Sequence, residues 1–449
     1  MMLKSLSIVT FVLGFVILFL VQSATATDPK WREKQQAYFE QIGLKPGDII
    51  DRESSQKVDG LLPPQMLEWL KRGDLTNIRI EDVKYDVSTD DEWTNAGKKN
   101  AGKFKLNEVK NLVDAATGKP PLWVYGIPFP GIEIAKDPDG AAKFMYNRML
   151  STFRGGSLYA PFTLEWIGHK GVERVVKCFW AQYMYWARSD GEVPNQGKYR
   201  YSYITGVIKP YDLAGLNQLT YRKMNGTEDD LYVYIPAIRR VKKMSGANRS
   251  DPYVGSDVTV DDGGGFAGLT NSMVWRFIEE KIGLICMVEW DTKNVYKLQQ
   301  LPEGGWRVSG ADSPIKLAWE VKGTKGAKWE PVNAVWVPRN FVILEGTPID
   351  PYYNSGKTIY WIDKDTYHTA YKMFDDKAGE YWKTIIFMPR CIEWGEGRRG
   401  YHGGGTSGYI VVDDKTRHAT GVRVVYVELD TPRLNPRKFT IERLRMVSK

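Results

Sequence analysis

From residue 158 to the end, the sequence is a succession of short β-type runs separated by turn residues, and this limits the fold more than any other feature. FTLEWIG (162–168) and VERVVKCFWAQYMYW (172–186) meet across His169-Lys170-Gly171. Similar runs are YRYSYITGVI, LYVYI, GLICMVEW, VYKLQQL, VNAVWV, TIYWID, TYHTAYKMF, EYWKTIIF, GYIVVDD and VRVVYVEL. The turns between them hold Asp, Gly, Lys or Asn, as in DKDT (363–366) and DDKAG (375–379). Consecutive strands joined by tight turns pair antiparallel, because a parallel pair needs a long crossover. The spacing therefore predicts a large antiparallel sheet.

Strand alternation adds shape. In 173–186 one face carries Arg174, Val176, Cys178, Trp180, Gln182, Met184 and Trp186; the other carries Glu173, Val175, Lys177, Phe179, Ala181, Tyr183 and Tyr185. Past Cys178 both faces are largely apolar or aromatic, so neither is plain solvent surface. A sheet curled on itself or on helices, enclosing a cavity, accounts for this better than a flat one-sided sheet.

Before residue 150 the pattern is mixed. PPQMLEWLKRG (63–73) predicts a helix started by proline and stopped by Gly73. KLNEVKNLVDAATG (105–118) is a second helix candidate, and DPDGAAKFMYNRML (137–150) a third, with Asp137 or Asp139 as its cap. No linker or low-complexity tract divides the chain. The organisation expected is residues 1–26 as a signal peptide, 27–150 as a mixed α/β segment packed on the main domain, and 151–449 as the antiparallel β domain.

The expected signal peptide rests on Lys4, the apolar run from Ile8 to Val21, and the small residues Ala24-Thr25-Ala26. A membrane anchor is the alternative, disfavoured because the run is shorter than the ~20 residues of a spanning helix. Cleavage after Ala26 implies a periplasmic, soluble protein. Of the formal charge of +8, residues 1–26 hold Lys4 and no acidic residue, which leaves +7 spread in mixed-sign stretches. That balance describes a solvated surface, and no nucleic-acid partner is expected. Cys178, Cys286 and Cys391 are too far apart for metal-ligand spacing and each lies in an apolar run. Buried thiols are expected, with one disulfide open in an oxidising compartment.

Gly263, Gly265 and Gly268 form G-x-G-x-x-G without a parallel βαβ context, so a flexible loop is the expected reading. The stretches 244–271 and 400–409 are both expected to be mobile. His169, His368, His402 and His418 are never at metal-pair spacing, and His368 is expected on the surface or a cavity wall. The carboxylate pairs at 90–91, 229–230, 261–262, 375–376 and 413–414 read as solvated turn residues. No nucleophile motif is present, so no enzyme, metal or cofactor is expected. The 16 Trp and 25 Tyr supply apolar bodies with polar tips, equally suited to core or ligand pocket.

Three stretches carry a resemblance. LYVYIPAIRRVKKMSGANRSDPYVGSDVTVDD (231–262), with D-x-x-x-G-[ST]-D at Asp251, Gly255 and Asp257, resembles a segment of envelope proteins known as outer-membrane lipoprotein-sorting proteins. KTIYWIDKDTYHTAYKMFDDKAGEYWKTIIF (357–387) resembles the paired hairpins of the LolA/LolB lipoprotein-carrier superfamily. LWVYGIPFPGIEIAKDPDGAAKFMYN and DGLLPPQMLEWLKRGD are similar to the first half of a longer, uncharacterised Gram-negative envelope family with that carrier fold in its second half. The resemblance implies a β-rich α+β fold: a curled antiparallel half-barrel sheet wrapped over helices, with a mixed N-terminal extension. It also implies a non-enzymatic carrier or adaptor for a hydrophobic ligand such as a lipid or acyl chain, working with a resistance-nodulation-division-type transporter or an outer-membrane protein. The chain has no lipobox cysteine, and its first segment is absent from the small carriers.

The alternatives are a structural accessory subunit of an envelope transport complex, its cavity filled by its own side chains, and an aromatic-rich carbohydrate-binding protein. Cavity candidates are Phe179, Trp180, Tyr183, Trp186, Tyr232, Tyr234, Tyr360 and Trp361. Residues 231–238 are expected to form a strand ending in Arg239, Arg240, Lys242 and Lys243, with Asp251, Asp257, Asp261 and Asp262 as countercharges. Of these, Arg239, Arg240, Lys242, Lys243, Asp251 and Asp257 are the candidates for a rim that meets headgroups or a partner.

Overall fold

The computed structural model describes residues 29–88, 91–152, 155–308, 315–393, 399–400 and 405–446. The expected signal peptide and residues 401–404 of the 400–409 glycine stretch, His402 among them, lie outside these residues. Four helices precede the sheet: α1 (Pro29–Ile42), α2 (Pro64–Arg72), α3 (Asp91–Lys98) and α4 (Gly140–Thr152); among the described residues two short ones, Glu289–Lys293 and Ile441–Met446, follow. Helix α2 forms as its sequence predicts. Pro64 opens it, and Gly73 closes it at φ 86°, donating its N–H to Trp69 and Leu70 carbonyls at 3.0 and 3.2 Å. Met66, Leu67, Trp69 and Leu70 form its buried stripe.

The sheet has thirteen main strands: β1 (Ser157–Gly168), β2 (Gly171–Met184), β3 (Tyr199–Lys209), β4 (Asn217–Lys223), β5 (Asp230–Ile235), β6 (Arg240–Met244), β7 (Met273–Val288), β8 (Ala334–Pro348), β9 (Thr358–Asp363), β10 (Thr369–Asp375), β11 (Tyr381–Pro389), β12 (Thr406–Asp413) and β13 (His418–Val424). Their spatial order is β6-β5-β4-β3-β2-β1-β13-β12-β11-β10-β9-β8-β7, every neighbour antiparallel. Short strands Tyr296–Gln300, Trp306–Val308 and Glu428–Leu429 extend the rim beside β1. Among the described residues no pairing joins β6 to β7, so the sheet curls without closing. This is the expected β-rich α+β architecture.

The two edges are consecutive in sequence, and residues 245–272 between them form a strap. Val258 packs with Leu164, Val176 and Val422, while Phe266 packs with Val342, Leu344 and Tyr360. One segment touching strands from both halves marks its face as the concave one. Helix α4 shares this face through Phe144 and Met145. The convex face of β7–β13 is covered by residues 31–87, whose Met66, Trp69 and Leu70 join Trp336, Trp361, Tyr371 and Ile386 in the largest apolar cluster. On the other half Phe439 and Leu444 cover Phe179, Ala181, Ile204 and Leu219. Among the described residues no helix is long and apolar enough to cross a membrane.

Three expectations are corrected. The stretch 105–118 is a hairpin, Phe104–Leu106 paired with Leu112–Asp114, rather than a helix. Asn107 accepts from the Asn111 N–H at 2.8 Å and Lys110 takes φ 56°, a turn geometry that ends any helical run. The basic residues after LYVYI lie on a further strand rather than at a strand end. A turn with Arg239 at φ 51° folds Arg240–Met244 back on β5, so Arg240, Lys242 and Lys243 stand on an outermost strand, where charge discourages edge-to-edge pairing. The strap, finally, is packed: Arg249, Asp261, Asp262, Phe266 and Ala267 are buried.

Candidate functional site

A cavity of about 160 Å³ lies between the strap and the concave face of β1, β2 and β13. The strand period of two selects its walls: Leu158, Ala160, Phe162 and Leu164 from β1, Trp180, Gln182 and Met184 from β2, and Val422 and Val424 from β13. Phe387, Tyr409 and Val427 complete the sheet side, and Tyr253, Val258, Val260, Gly263 and Gly264 the strap side. Two of the few polar groups are turned on themselves, Trp180 Nε1 donating to Gln182 Oε1 at 2.8 Å. The other walls are mainly aliphatic and aromatic, with the hydroxyls of Thr152, Ser157, Thr205, Thr259 and Thr406 among them. Cys178, on the same face, is buried, and burial pushes its thiol up to about 12, so it is an inert wall atom.

Beside the cavity the concavity is filled by charge. Arg222 grips Asp229 through two bonds of 2.6 and 2.8 Å, and Arg249 reaches Asp229 at 3.2 Å and Asp261 at 2.6 Å. Both guanidinium groups also donate to the Ala267 carbonyl. Lys372 meets Asp262 at 2.6 Å. Burial works to raise the Asp262 carboxyl, but the charges of Lys372 and Lys383 outweigh it and hold it below the usual range. From α4, Arg148 donates to Thr369 Oγ1, Phe266 O and Gly264 O, and Gly265 at φ 91° leaves no room for a Cβ against Thr369. The G-x-G-x-x-G glycines thus serve close backbone packing inside the concavity. The carboxylates 229, 261 and 262 are buried ion-pair partners rather than solvated turn residues, which corrects that expectation.

The eight cavity candidates separate by strand parity. Trp180 lines the cavity. Phe179, Tyr183, Tyr232 and Tyr234 lie on the opposite face with Phe439 and Leu444. Trp186 is buried at the end of β2, donating to Pro121 O at 2.9 Å. Tyr360 packs on Phe266 and Trp275 in the concave core, and Trp361 faces Phe341 and Tyr371 under the N-terminal helices. Of the rim candidates, Lys243 pairs with Asp230 at 2.9 Å; Arg239, Arg240 and Lys242 are exposed. Asp251 accepts from Asn248 and Asn354, both within 3 Å. Asp257 accepts from Thr420 Oγ1 and contacts His418 Nδ1, both at 2.7 Å; that hydrogen bond raises the imidazole pKa despite partial burial. His368 is buried, and burial, with Arg148 nearby, pushes it down to about 3. The aliphatic walls Leu164, Val422 and Val424 were missed because nothing local distinguishes them from ordinary core. Among the described residues no group of three His, Cys, Asp or Glu side chains is placed to hold a metal ion.

Fold and cavity together define a β-rich α+β protein whose curled antiparallel sheet encloses an apolar space. The chain belongs to the family described as protein of unknown function DUF1329, which matches residues 49–391. Among solved structures it is similar to an outer membrane lipoprotein-sorting protein domain from Vibrio parahaemolyticus, at 15% identity and TM-score 0.46, over 69% of this chain and 100% of that one. A DUF1329 family protein from Desulfovibrio piger is similar to the same degree, at 15% identity, TM-score 0.46, 69% and 100%. A LolA superfamily protein from Nitrosomonas europaea is similar at 12% identity and TM-score 0.39, over 67% and 98%. No curated protein matches the sequence.

Proposed function

We propose that this protein is a non-enzymatic periplasmic carrier or adaptor that receives a hydrophobic, lipid-like ligand in the cavity between strap and sheet, after removal of residues 1–26. The observation that carries the reading is the mainly apolar cavity of about 160 Å³. A void of ~150 Å³ lined by aliphatic and aromatic groups accepts a molecule the size of benzene. The space therefore holds a ring or a short stretch of chain, and a longer acyl chain needs the strap side chains Tyr253, Val258 and Val260 to move aside. Working with a resistance-nodulation-division-type exporter or an outer-membrane protein rests on the family resemblance alone.

One observation favours a second reading, an accessory subunit without a ligand of its own: the strap already fills most of the concavity. Native mass spectrometry of protein from the envelope fraction, with lipid extraction, separates the two. A co-purifying hydrophobic molecule, and loss of a fluorescent acyl probe in a folded Phe162→Lys variant, support the carrier. Protein that is empty and indifferent to the probe leaves the accessory subunit.

A further inference from the structure

A second groove, of about 930 Å³, runs between the N-terminal segment and the ends of β3 and β4. Its floor is Pro120-Pro121-Leu122-Trp123-Val124-Tyr125. Trp123 and Tyr125 present near-parallel rings, 11° apart with centroids at 6.2 Å. Both are fixed: Trp123 Nε1 donates to Arg188 O at 2.9 Å, Tyr125 Oη donates to Glu92 at 3.0 Å, and Trp93 abuts Tyr125 edge-on at 5.1 Å. The pinned pair, with Trp123 37% exposed and Tyr125 half-buried, forms a rigid platform, and Leu122 beside it is 49% exposed.

The walls supply charge. Lys103, Lys119, Lys198 and Lys223 line the groove against Asp114 and Glu192. Lys223 is paired with Asp230 at 3.1 Å, and Asp114 accepts from the Ala116 and Thr117 N–H groups and the Thr117 hydroxyl. Among the described residues, Lys103, Lys119 and Lys198 have no ion pair. Directly beneath, Arg200 is fully buried over the Trp186 ring at 4.6 Å, with its Nε and Nη1 lacking hydrogen-bond partners. It donates to the carbonyl of groove-lining Met224, so this under-neutralised cation sits just below the floor. Four lysines against two carboxylates, with Arg200 beneath, leave the groove an excess of positive charge, and low-dielectric walls focus that field.

We propose that this groove binds an acidic oligosaccharide, a chain of uronate-type sugars, at a site separate from the apolar cavity. A pyranose ring has an apolar C–H face that lies flat on an aromatic ring, and its carboxylates meet the three unpaired ammonium groups. Two adjacent ring faces match two successive sugars. An acidic peptide would satisfy the lysines and leave the platform unused.

The test is titration of the full chain with oligogalacturonate hexamer, followed by calorimetry and tryptophan fluorescence, beside cellohexaose and hexaglutamate. The expected order is oligogalacturonate well ahead of both, with Trp123→Ala weakening it about tenfold, one decade being 1.4 kcal/mol. Trp123→Phe retains most of the binding. The triple variant Lys103→Gln, Lys119→Gln, Lys198→Gln keeps its fold, since all three are exposed. It is expected to lose binding and with it the dependence on salt. Hexaglutamate binding as tightly as oligogalacturonate, indifference to Trp123→Ala in a folded variant, or no binding at millimolar sugar each overturns the proposal.

Discussion

Two parts of one concavity are treated in opposite ways. Around Asp229, Arg249, Asp261 and Asp262 the strap fills the space with paired charge, while around Leu164, Trp180 and Val422 it leaves a void. The difference follows from what each part has to satisfy. Buried charges tolerate no gap, because an ion without its partner loses its compensation for desolvation. Apolar walls lose only dispersion contacts and tolerate emptiness at a modest cost. The charged part therefore anchors the strap, and the apolar part is where the fold has freedom to admit something.

The strongest way to break this comparison is to remove an anchor. Asp229 serves both Arg222 and Arg249, so Asp229→Ala leaves two buried guanidinium groups short of their carboxylate. The expected loss is ~3–5 kcal/mol in urea unfolding, against which the conservative Asp229→Glu recovers part. A loss below about 1 kcal/mol would show that the strap is held by its apolar contacts instead.

His368 lies where the two parts meet, near Arg148, with the Phe387 ring at 6.4 Å on its cavity side. Its folded pKa is pushed down to about 3 from an ordinary 6.5. The unfolded chain therefore takes up a proton below pH 6.5 that the folded protein refuses until about pH 3. Stability from this group is full above pH 6.5 and falls by ~1.4 kcal/mol per pH unit through the window beneath. Carboxylates titrate in the same range, so the readout is the difference between wild type and His368→Gln. Coincident pH profiles of the urea midpoint would remove His368 from the boundary.

How much of this was legible follows from separation along the chain. The strands could be read because alternation is local: FTLEWIG and VERVVKCFW each display their period within a few residues. Which parity faces inward could not, since Phe179 and Trp180 are equally apolar and the choice depends on where the strap lies. The strap was misread for the same reason. Arg249, Asp261 and Asp262 look solvated in GANRSDPY and TVDDGG, and their burial depends on Asp229, Tyr353 and Lys372, up to 110 residues away. β4, Asn217–Lys223, escaped notice because Asn, Gln, Arg and Lys conceal a strand buried on both sides. The groove was similarly hidden, since PPLWVYG does not reveal that its tryptophan stays in water.

Filling the void sharpens the comparison from the other side. Ala160→Leu projects a larger side chain from β1 into the cavity, and filled cavities typically contribute ~0.5–2 kcal/mol. The expected outcome is a slightly higher melting temperature together with loss of the acyl probe. A destabilised variant would mean that the walls there cannot accommodate the added volume and that the void is shaped by the strap's position rather than left over.

The smallest effect is expected at the edge from which the strap departs. Lys242 and Lys243 face outward on β6, the terminal strand of an open sheet, and the strap begins after Met244. Changing them to Lys242→Val and Lys243→Val removes charge without touching the buried network, whose nearest member in sequence is Arg249. Neither the unfolding midpoint nor probe binding is expected to shift measurably. What changes is association: an uncharged β edge offers free backbone N–H and C=O groups to a second chain. Light scattering at increasing concentration reads this directly, and monomeric behaviour in the double variant would mean that the twist of β6, rather than its lysines, protects the edge. Loss of probe binding at unchanged association would link the edge to the cavity through the strap and dissolve the separation between anchored and open parts.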